Sequence, residues 1–166
     1  MSNLSTKHFI GLEHATADDI QLIIDTALTF REILDRPIKK VPSLKGKNIV
    51  NLFFENSTRT KLSFELAEKR LSADVLNFSA SSSSLNKGES LRDTVQNIQA
   101  MKIDCAVMRH PVPGSCIQLT KYLDCPIVNA GDGTHEHPTQ AMLDMTSIYE
   151  KFGRIKNLKI VIVGDI

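Results

Sequence analysis

The chain has 166 residues, of which 42% are apolar, and its 20 basic residues nearly balance its 19 acidic ones. This composition predicts a globular protein with one domain, or with one domain and the beginning of another. The small net charge excludes a field that would recruit nucleic acid or an anionic membrane, and no apolar run is long enough to cross a bilayer. Because no secretion signal is evident, we expect a cytoplasmic protein.

The three cysteines, Cys105, Cys116 and Cys125, lie in or beside apolar segments and lack the CxxC spacing of many metal sites. We therefore expect buried thiols rather than a disulfide or a metal site. The one local excess of basic residues lies in residues 36–47, a segment that two prolines interrupt. We interpret that segment as a solvated loop.

The first predicted helix begins after Thr16, which can cap it, and Asp19 can return the hydrogen bond to form a capping box. Its apolar residues fall on one helical stripe: Ile20, Ile23, Ile24, Ala27, Leu28 and Leu34. After the basic loop, residues 48–54 read as a short buried strand. Residues 61–71 then read as a helix whose inner side carries Leu62, Leu66 and Leu71.

The order of strand, turn and helix repeats along the chain. The predicted strands cover residues 74–79, 104–110 and 126–130, and the predicted helices cover residues 90–101, 114–123 and 138–152. This alternation favours an α/β fold, a parallel sheet with helices on both faces. In such a sheet, ligands bind at the carboxyl ends of the strands.

The last nine residues, LKIVIVGDI at 158–166, form the strongest predicted strand, followed by a Gly-Asp turn where another helix would begin. We therefore expect a first domain over residues 1–152 and the first strand of a second α/β domain within residues 153–166. On this interpretation the chain is a fragment of a longer polypeptide.

The junction between the strand at 48–54 and the next helix holds Ser57, Thr58, Arg59 and Thr60. A helix N-terminus presents unpaired N–H groups and a partial positive charge, which together favour an anion. Hydroxyl groups add neutral donors, and a guanidinium can bind two oxygens at once. The alternative is that one hydroxyl caps the helix and Arg59 is solvated, but capping needs only one hydroxyl. We therefore predict an anion site.

Other polar residues follow the later strands. Arg109 and His110 lie where a strand ends, and His137 directly precedes a helix that carries Gln140 in its first turn. The carboxyl ends of parallel strands meet at one edge of a sheet, so we expect these side chains to converge on one crevice with Arg59.

Two further features have competing interpretations. His135 and His137 could suggest a metal, but they lie in a Gly-rich loop with no third ligand nearby, so we predict none. Lys87 lies in the Ser-rich stretch of residues 79–88, which we expect to be an exposed, mobile loop. It is either a surface lysine or part of a lid that brings a point charge to a departing phosphate.

Four stretches together carry a family resemblance: FFENSTRTKLSFELA, SSSSLNKGESLRDT, VMRHP and NAGDGTHEHPTQAMLD. They resemble the carbamoyl phosphate half of the aspartate carbamoyltransferases, which make N-carbamoyl-L-aspartate in pyrimidine biosynthesis. The STRT and HPTQ motifs are shared with the ornithine carbamoyltransferases, so they identify only the superfamily. The Lys-Gly-Glu sequence at residues 87–89 is the mark of the aspartate enzymes.

The resemblance implies a role for each motif. Residues 57–60 would bind the phosphate of carbamoyl phosphate, and Thr60, Arg109 and His137 would reach its carbonyl oxygen. Gln140 would hold the carbamoyl amino group. In the implied reaction the amine of L-aspartate attacks the carbonyl carbon, and fixed donors stabilise the charge that builds on the carbonyl oxygen.

The resemblance also implies that phosphate leaves with the help of Arg59 and Lys87, without a metal or an organic cofactor. Lys87 and Ser83 would come from a neighbouring subunit of a homotrimer, which could also carry regulatory chains or other pyrimidine enzymes. Most residues that bind L-aspartate would lie beyond Ile166, so the 166-residue chain alone should be inactive.

Two alternatives stay open at this stage. The chain could be a non-catalytic module that binds carbamoyl phosphate or phosphate, in which case a complementing half would restore no activity. It could also belong to a carbamoyltransferase for ornithine or another amine, which residues beyond this chain would decide.

Overall fold

The computed structural model describes residues 3–79 and 91–164 and contains one four-stranded parallel sheet in the order β2-β1-β3-β4. The strands are β1 (Asn48–Phe53), β2 (Asp74–Ser79), β3 (Cys105–His110) and β4 (Ile127–Asp132). The helices are α1 (Ala17–Ile33), α2 (Thr58–Arg70), α3 (Leu91–Ala100), α4 (Ser115–Leu119) and α5 (Pro138–Phe152). The predicted alternation of strands and helices is therefore confirmed.

Each face of the sheet carries its own apolar cluster. On one face Leu52 and Met108 pack with Val95 of α3 and Leu119 of α4, all of them buried. On the other face the cluster of Ile49, Phe53, Val107 and Ala130 is covered in part by Phe64 of α2. Alternate residues of β1 thus enter opposite clusters, as expected for a strand that is covered on both sides. Helices on both faces are confirmed.

The capping box at the start of α1 is present. Asp19 N donates to Thr16 Oγ1 at 3.1 Å, and Thr16 N donates to Asp19 Oδ2 at 3.0 Å. Asp19 also accepts hydrogen bonds from the backbone N–H and the hydroxyl of Ser5. The N-terminal segment then forms a parallel bridge between Phe9 and Val128, which extends the sheet beside β4.

The prediction that three leucines form the inner side of α2 is wrong for Leu62 and Leu66. Leu62 is 58% exposed and Leu66 is 49% exposed, whereas Leu71 is half-buried. The helix instead turns Phe64 and Glu68, four residues apart, toward the sheet, and Leu71 lines a cavity with residues of α1. The helix has two apolar stripes, and the stripe that packs on the sheet contains the buried carboxyl of Glu68.

The strand predicted near the end of the chain is not observed. Residues 158–163 have no regular structure, and the four apolar side chains from Ile160 to Val163 are exposed. A strand needs a neighbour to accept its backbone hydrogen bonds, and no described strand pairs with this segment. Residues 158–163 thus form no strand in this structure, and a second domain after residue 152 stays a prediction.

All three cysteines are free thiols, as predicted, with Cys116 and Cys125 buried and Cys105 half-buried. Burial raises the pKa of both Cys105 and Cys116 to about 12. Within residues 3–79 and 91–164, no helix is long and apolar enough to span a membrane. The predicted Ser-rich loop from residue 80 onward, including Ser83 and Lys87, lies outside the described residues.

Candidate functional site

The N-termini of α2 and α5 meet at a small cavity near the carboxyl edge of the sheet. The cavity has a volume of about 180 Å³ and is lined by Thr60, Ser63, Phe64, Ala67, His137, Thr139, Gln140 and Leu143. It brings together three of the predicted site residues, Thr60, His137 and Gln140. Of the residues predicted to converge, His137 and Gln140 thus meet the start of α2 here, whereas Arg109 and His110 do not line this cavity.

The start of α2 has donors that no side chain uses. Ser57 occupies the N-cap position with φ −146° and ψ 86°, but its side chain makes no capping hydrogen bond. Its hydroxyl instead donates to Thr60 Oγ1 at 2.9 Å. The first turn contains no acidic residue. Simple capping therefore does not explain the hydroxyl groups, and the first N–H groups of the helix can bind an anion.

Thr58 and Arg59 are exposed in the first turn of α2. Among the described residues, no hydrogen bond or ion pair involves the Arg59 guanidinium. Arg59 does not line the 180 Å³ cavity, so its predicted convergence with the other residues is not seen. The arrangement leaves an unpaired cation beside an uncapped helix N-terminus.

Arg109, at the end of β3, is held by two groups from neighbouring elements. Its Nη2 forms an ion pair with Glu55 Oε1, and its Nη1 donates to Ala130 O at 2.8 Å. Its Nε is buried and has no hydrogen-bond partner among the described residues. The Arg109 side chain as a whole is 21% exposed, so it is not closed off from a ligand. Sequence reasoning missed Glu55, although it lies only two residues before Ser57.

Gly131 allows the close approach of β4 to Arg109. Its φ is +116°, and a Cβ added there would lie 2.4 Å from Arg109 Nη1 and 3.4 Å from His137 Cδ2. Any side chain would therefore displace the guanidinium, and the backbone conformation itself favours glycine. The same contacts place both Arg109 and His137 beside this glycine.

His137 is the N-cap residue of α5, with φ −136° and ψ 71°, and its side chain makes no capping bond. Its Nδ1 lies 3.3 Å from Thr139 Oγ1. Burial and the nearby Arg109 charge lower the pKa of His137, which favours a neutral imidazole near neutral pH. Gln140, one turn on, donates from Nε2 to Asp144 Oδ1 at 3.1 Å.

His110 and His135 make contacts within loops rather than with the cavity. His110 Nδ1 accepts a hydrogen bond from Val112 N at 3.0 Å and lies 2.9 Å from Ser115 Oγ. His135 pairs with the buried carboxylate of Asp132, at 3.1 Å. Neither contact directs a histidine into the cavity.

Sequence reasoning also missed Asp132, which organises the loop before α5. Its carboxylate accepts hydrogen bonds from Gly114 N, Glu136 N and Asn129 Nδ2. Burial acts to raise the pKa of Asp132, but these bonds and the one from His135 outweigh it, so the pKa is lowered. The available signal in the sequence was an aspartate between two glycines directly after a predicted strand.

The arrangement suits a small ligand with an anionic end and a polar neutral end. Two uncapped helix N-termini and Arg59 supply positive potential, and Arg109 and His137 supply directed donors. Such fixed donors can stabilise a negative charge that develops on an oxygen.

Comparison with known proteins gives a consistent result. Residues 7–150 match the family model of the aspartate/ornithine carbamoyltransferase carbamoyl-P binding domain. The aspartate carbamoyltransferase catalytic subunit of Christiangramia forsetii is 63% identical over 99% of this chain and 53% of that protein. The catalytic subunit of Flavobacterium psychrophilum is 60% identical over 100% of this chain and 54% of that protein. The chain thus spans about half the length of these curated relatives.

Solved structures agree with this match. Aspartate transcarbamoylase from Trypanosoma cruzi in complex with carbamoyl aspartate and phosphate superposes with a TM-score of 0.85 at 36% identity, covering 93% of this chain and 47% of that one. The catalytic subunit of M. jannaschii aspartate transcarbamoylase gives a TM-score of 0.79 at 41% identity, covering 90% and 48%. The chain belongs to the aspartate/ornithine carbamoyltransferase family and contains its carbamoyl phosphate-binding domain.

Proposed function

We propose that this chain supplies the carbamoyl phosphate half of an aspartate carbamoyltransferase, which transfers the carbamoyl group to the amine of L-aspartate. The observation that carries the proposal is the meeting of two uncapped helix N-termini beside Arg109. The family match and the relatives, which are named as aspartate carbamoyltransferase catalytic subunits, support the same assignment. The product would enter de novo pyrimidine biosynthesis.

In the proposed site, the phosphate of carbamoyl phosphate binds at the start of α2. The hydroxyl groups of Ser57, Thr58 and Thr60 and the helix N–H groups donate to its oxygens, and Arg59 adds a charge-assisted pair. Arg59 suits this role because it is exposed and has no partner among the described residues. Phosphate needs this charge compensation both when it binds and when it leaves.

The carbonyl oxygen of carbamoyl phosphate faces Thr60, Arg109 and His137, and Gln140 holds the amino group. Attack by the amine builds negative charge on that oxygen, which the three donors stabilise; one such donor is worth about 3–4 kcal/mol. A neutral His137 fits this role, because its ring N–H can donate to the carbonyl oxygen, while the proton that the attacking amine loses leaves with the departing phosphate. The reaction needs neither a metal nor an organic cofactor.

The proposed assembly is a homotrimer in which Lys87 and Ser83 of one subunit complete the site of the next. The helix α2, whose Leu62 and Leu66 are exposed, contacts β2, an edge strand of the described sheet whose Leu76 is 45% exposed. An exposed apolar surface next to an open strand edge is typical of a protein interface. A cytoplasmic location is part of the same proposal.

The test combines this polypeptide with a separately produced C-terminal half of an aspartate carbamoyltransferase relative. We expect N-carbamoyl-L-aspartate from carbamoyl phosphate and L-aspartate in the mixture, and negligible product from the 166-residue chain alone. Substantial turnover by the chain alone would contradict the proposed division of the site. A mixture that stays inactive would favour a non-catalytic phosphate-binding module.

The identity of the amine substrate is tested separately. In the full-length protein, L-ornithine in place of L-aspartate should give no carbamoylated product. Product from ornithine and none from aspartate would replace the proposal with an ornithine-type carbamoyltransferase.

A further inference from the structure

A buried carboxyl lies beneath α2 and does not line the cavity of the candidate site. Glu68 is the one residue of α2 that is fully buried, with 5% of its surface exposed, and it faces Asn51 of β1, which is 0% exposed. Both residues are polar, and both lie between a helix and the middle of a sheet. A buried polar group is costly unless it is hydrogen-bonded, so the partners of every oxygen matter here.

The Asn51 amide uses both of its hydrogens. Its Nδ2 donates to Glu68 Oε2 at 2.8 Å and to Asn77 Oδ1 at 3.2 Å, across the β1–β2 register in which these two asparagines are paired. The two remaining oxygens, Asn51 Oδ1 and Glu68 Oε1, are buried and have no partner among the described residues. Both are acceptors when the carboxyl is ionised, so they cannot satisfy each other in that state.

No described ion pair compensates a charge on Glu68. The nearest basic residue on the helix, Lys69, pairs with Glu65 instead. Burial raises the pKa of Glu68 by more than the Asn51 hydrogen bond lowers it; the neighbouring Glu65 adds to the rise and Lys69 opposes it. An ionised Glu68 would therefore be a buried charge without a cation, which proteins avoid.

We propose that the Glu68 carboxyl is protonated in the folded chain and that its Oε1–H donates to Asn51 Oδ1. With the existing bond from Asn51 Nδ2 to Glu68 Oε2, this closes a cyclic acid–amide pair between α2 and β1. One proton satisfies both unpaired oxygens and removes the buried charge. The pair fastens α2 to the sheet about three helical turns beyond Thr58, whatever ligand the helix start binds.

The pair makes stability sensitive to pH. The titratable groups around Glu68 are Glu65 and Lys69 on α2 and Cys105 on β3, whose pKa burial raises to about 12. Cys105 is therefore neutral over the relevant range. Because the pKa of Glu68 is higher in the folded state than in the unfolded state, its contribution is fully present below the unfolded pKa and is lost as pH rises through the folded pKa.

Nuclear magnetic resonance tests the proton directly in the intact protein. With glutamate side chains labelled with ¹³C at the carboxyl carbon, one resonance should remain at the carboxylic-acid position after the others have shifted. Glu68→Gln should remove that resonance. Titration of every glutamate together near its ordinary pKa of about 4.3 would overturn the proposal.

Unfolding as a function of pH gives a second readout. The folding equilibrium constant of the parent should fall by up to about tenfold per pH unit between the unfolded and folded pKa values of Glu68. Glu68→Gln should fold and lack this fall, because glutamine can both donate to and accept from Asn51. Glu32→Gln, at an exposed position of α1, should keep it.

Three results would overturn the proposal on this second readout. The first is a Glu68→Gln variant that fails to fold, and the second is a variant that keeps the full pH dependence of the parent. The third is parent stability that changes with the identity of the monovalent cation, which would assign the two oxygens to a bound cation.

Discussion

The guanidinium of Arg109 forms an ion pair with the carboxylate of Glu55, which joins the ends of β3 and β1 at the candidate site. The two strands are neighbours, and Arg109 stands opposite Phe53 in their register. Nη1 of the same guanidinium donates to Ala130 O. Arg109 is therefore held in place by three strands before any ligand arrives, which is the preorganisation that stabilisation of a developing charge requires.

Replacement of Arg109 by lysine should weaken carbamoyl phosphate binding. A lysine ammonium is a point charge and cannot contact Glu55, Ala130 O and a ligand in one plane. The loss of a charge-assisted hydrogen bond costs about 1.5–3 kcal/mol of binding free energy, which corresponds to a dissociation constant larger by roughly ten- to hundredfold. Calorimetry measures this change. Arg36→Lys, on the exposed loop after α1, should bind like the parent. Equal affinities for the two variants would exclude this role for Arg109.

A side chain at Gly131 should damage the site more than a side chain at an open glycine. Gly131→Ala places a Cβ against Arg109 Nη1 and forces alanine to adopt a φ of +116°. We expect a loss of about 1–2 kcal/mol in the free energy of unfolding, together with weaker ligand binding. Gly164→Ala, which meets nothing within 4 Å, is the matched control. Denaturant unfolding that ranks the two variants equally would contradict the contact.

The lowered pKa of His137 predicts a loss of stability in mild acid. As pH falls below about 6.5, the unfolded chain takes up a proton before the folded chain does, so the free energy of unfolding declines until pH reaches the folded pKa. His137→Asn should make this decline shallower. The substitution should not abolish the decline, because burial also lowers the pKa values of His8 and His110.

The control for this measurement is Gln118→Asn, at an exposed position of α4, which removes no titratable group and should leave the acid slope of the unfolding free energy unchanged. Thermal or denaturant unfolding between neutral and mildly acidic pH gives the slope. If His137→Asn leaves the slope as steep as the parent's, the neutral imidazole is not a property of the folded site.

The exposed leucines of α2 predict an interface. If the proposed trimer forms through this surface, Leu62→Ser combined with Leu66→Ser should convert it to monomer in analytical ultracentrifugation, because apolar area leaves the proposed contact. Helix content by circular dichroism should stay the same, since exposed substitutions change folding stability by only about 0.5 kcal/mol. Ile38→Ser, at a 76% exposed position, serves as the control. A trimer that persists in the double variant would place the interface elsewhere.

Much of the fold could be predicted because its signals are local. Alternating strand and helix patterns define a parallel sheet, and such a sheet directs the residues after each strand to one edge. Thr60, His137 and Gln140 therefore line one cavity, as expected. The capping box of Thr16 and Asp19 is equally local and was equally predictable.

The features that the sequence did not predict depend on tertiary contacts. α2 carries two apolar stripes, and only the sheet decides that Phe64 packs inward while Leu62 and Leu66 remain exposed. The apolar segment at residues 158–163 has a strand-like composition, but no strand in the described part of the chain pairs with it. The Glu55–Arg109 ion pair joins a residue just after β1 to a residue of β3, so no spacing in the sequence could reveal it.

The most direct measurement of the central claim is calorimetric titration of carbamoyl phosphate into the intact protein and into its Arg59→Ala variant. Arg59 is exposed and unpaired within the described part of the chain, so its removal should leave the fold unchanged. We expect the variant to bind at least about tenfold more weakly, through the loss of a charge-assisted hydrogen bond, while Arg36→Ala binds like the parent. Unchanged affinity in Arg59→Ala would contradict a phosphate site at the start of α2.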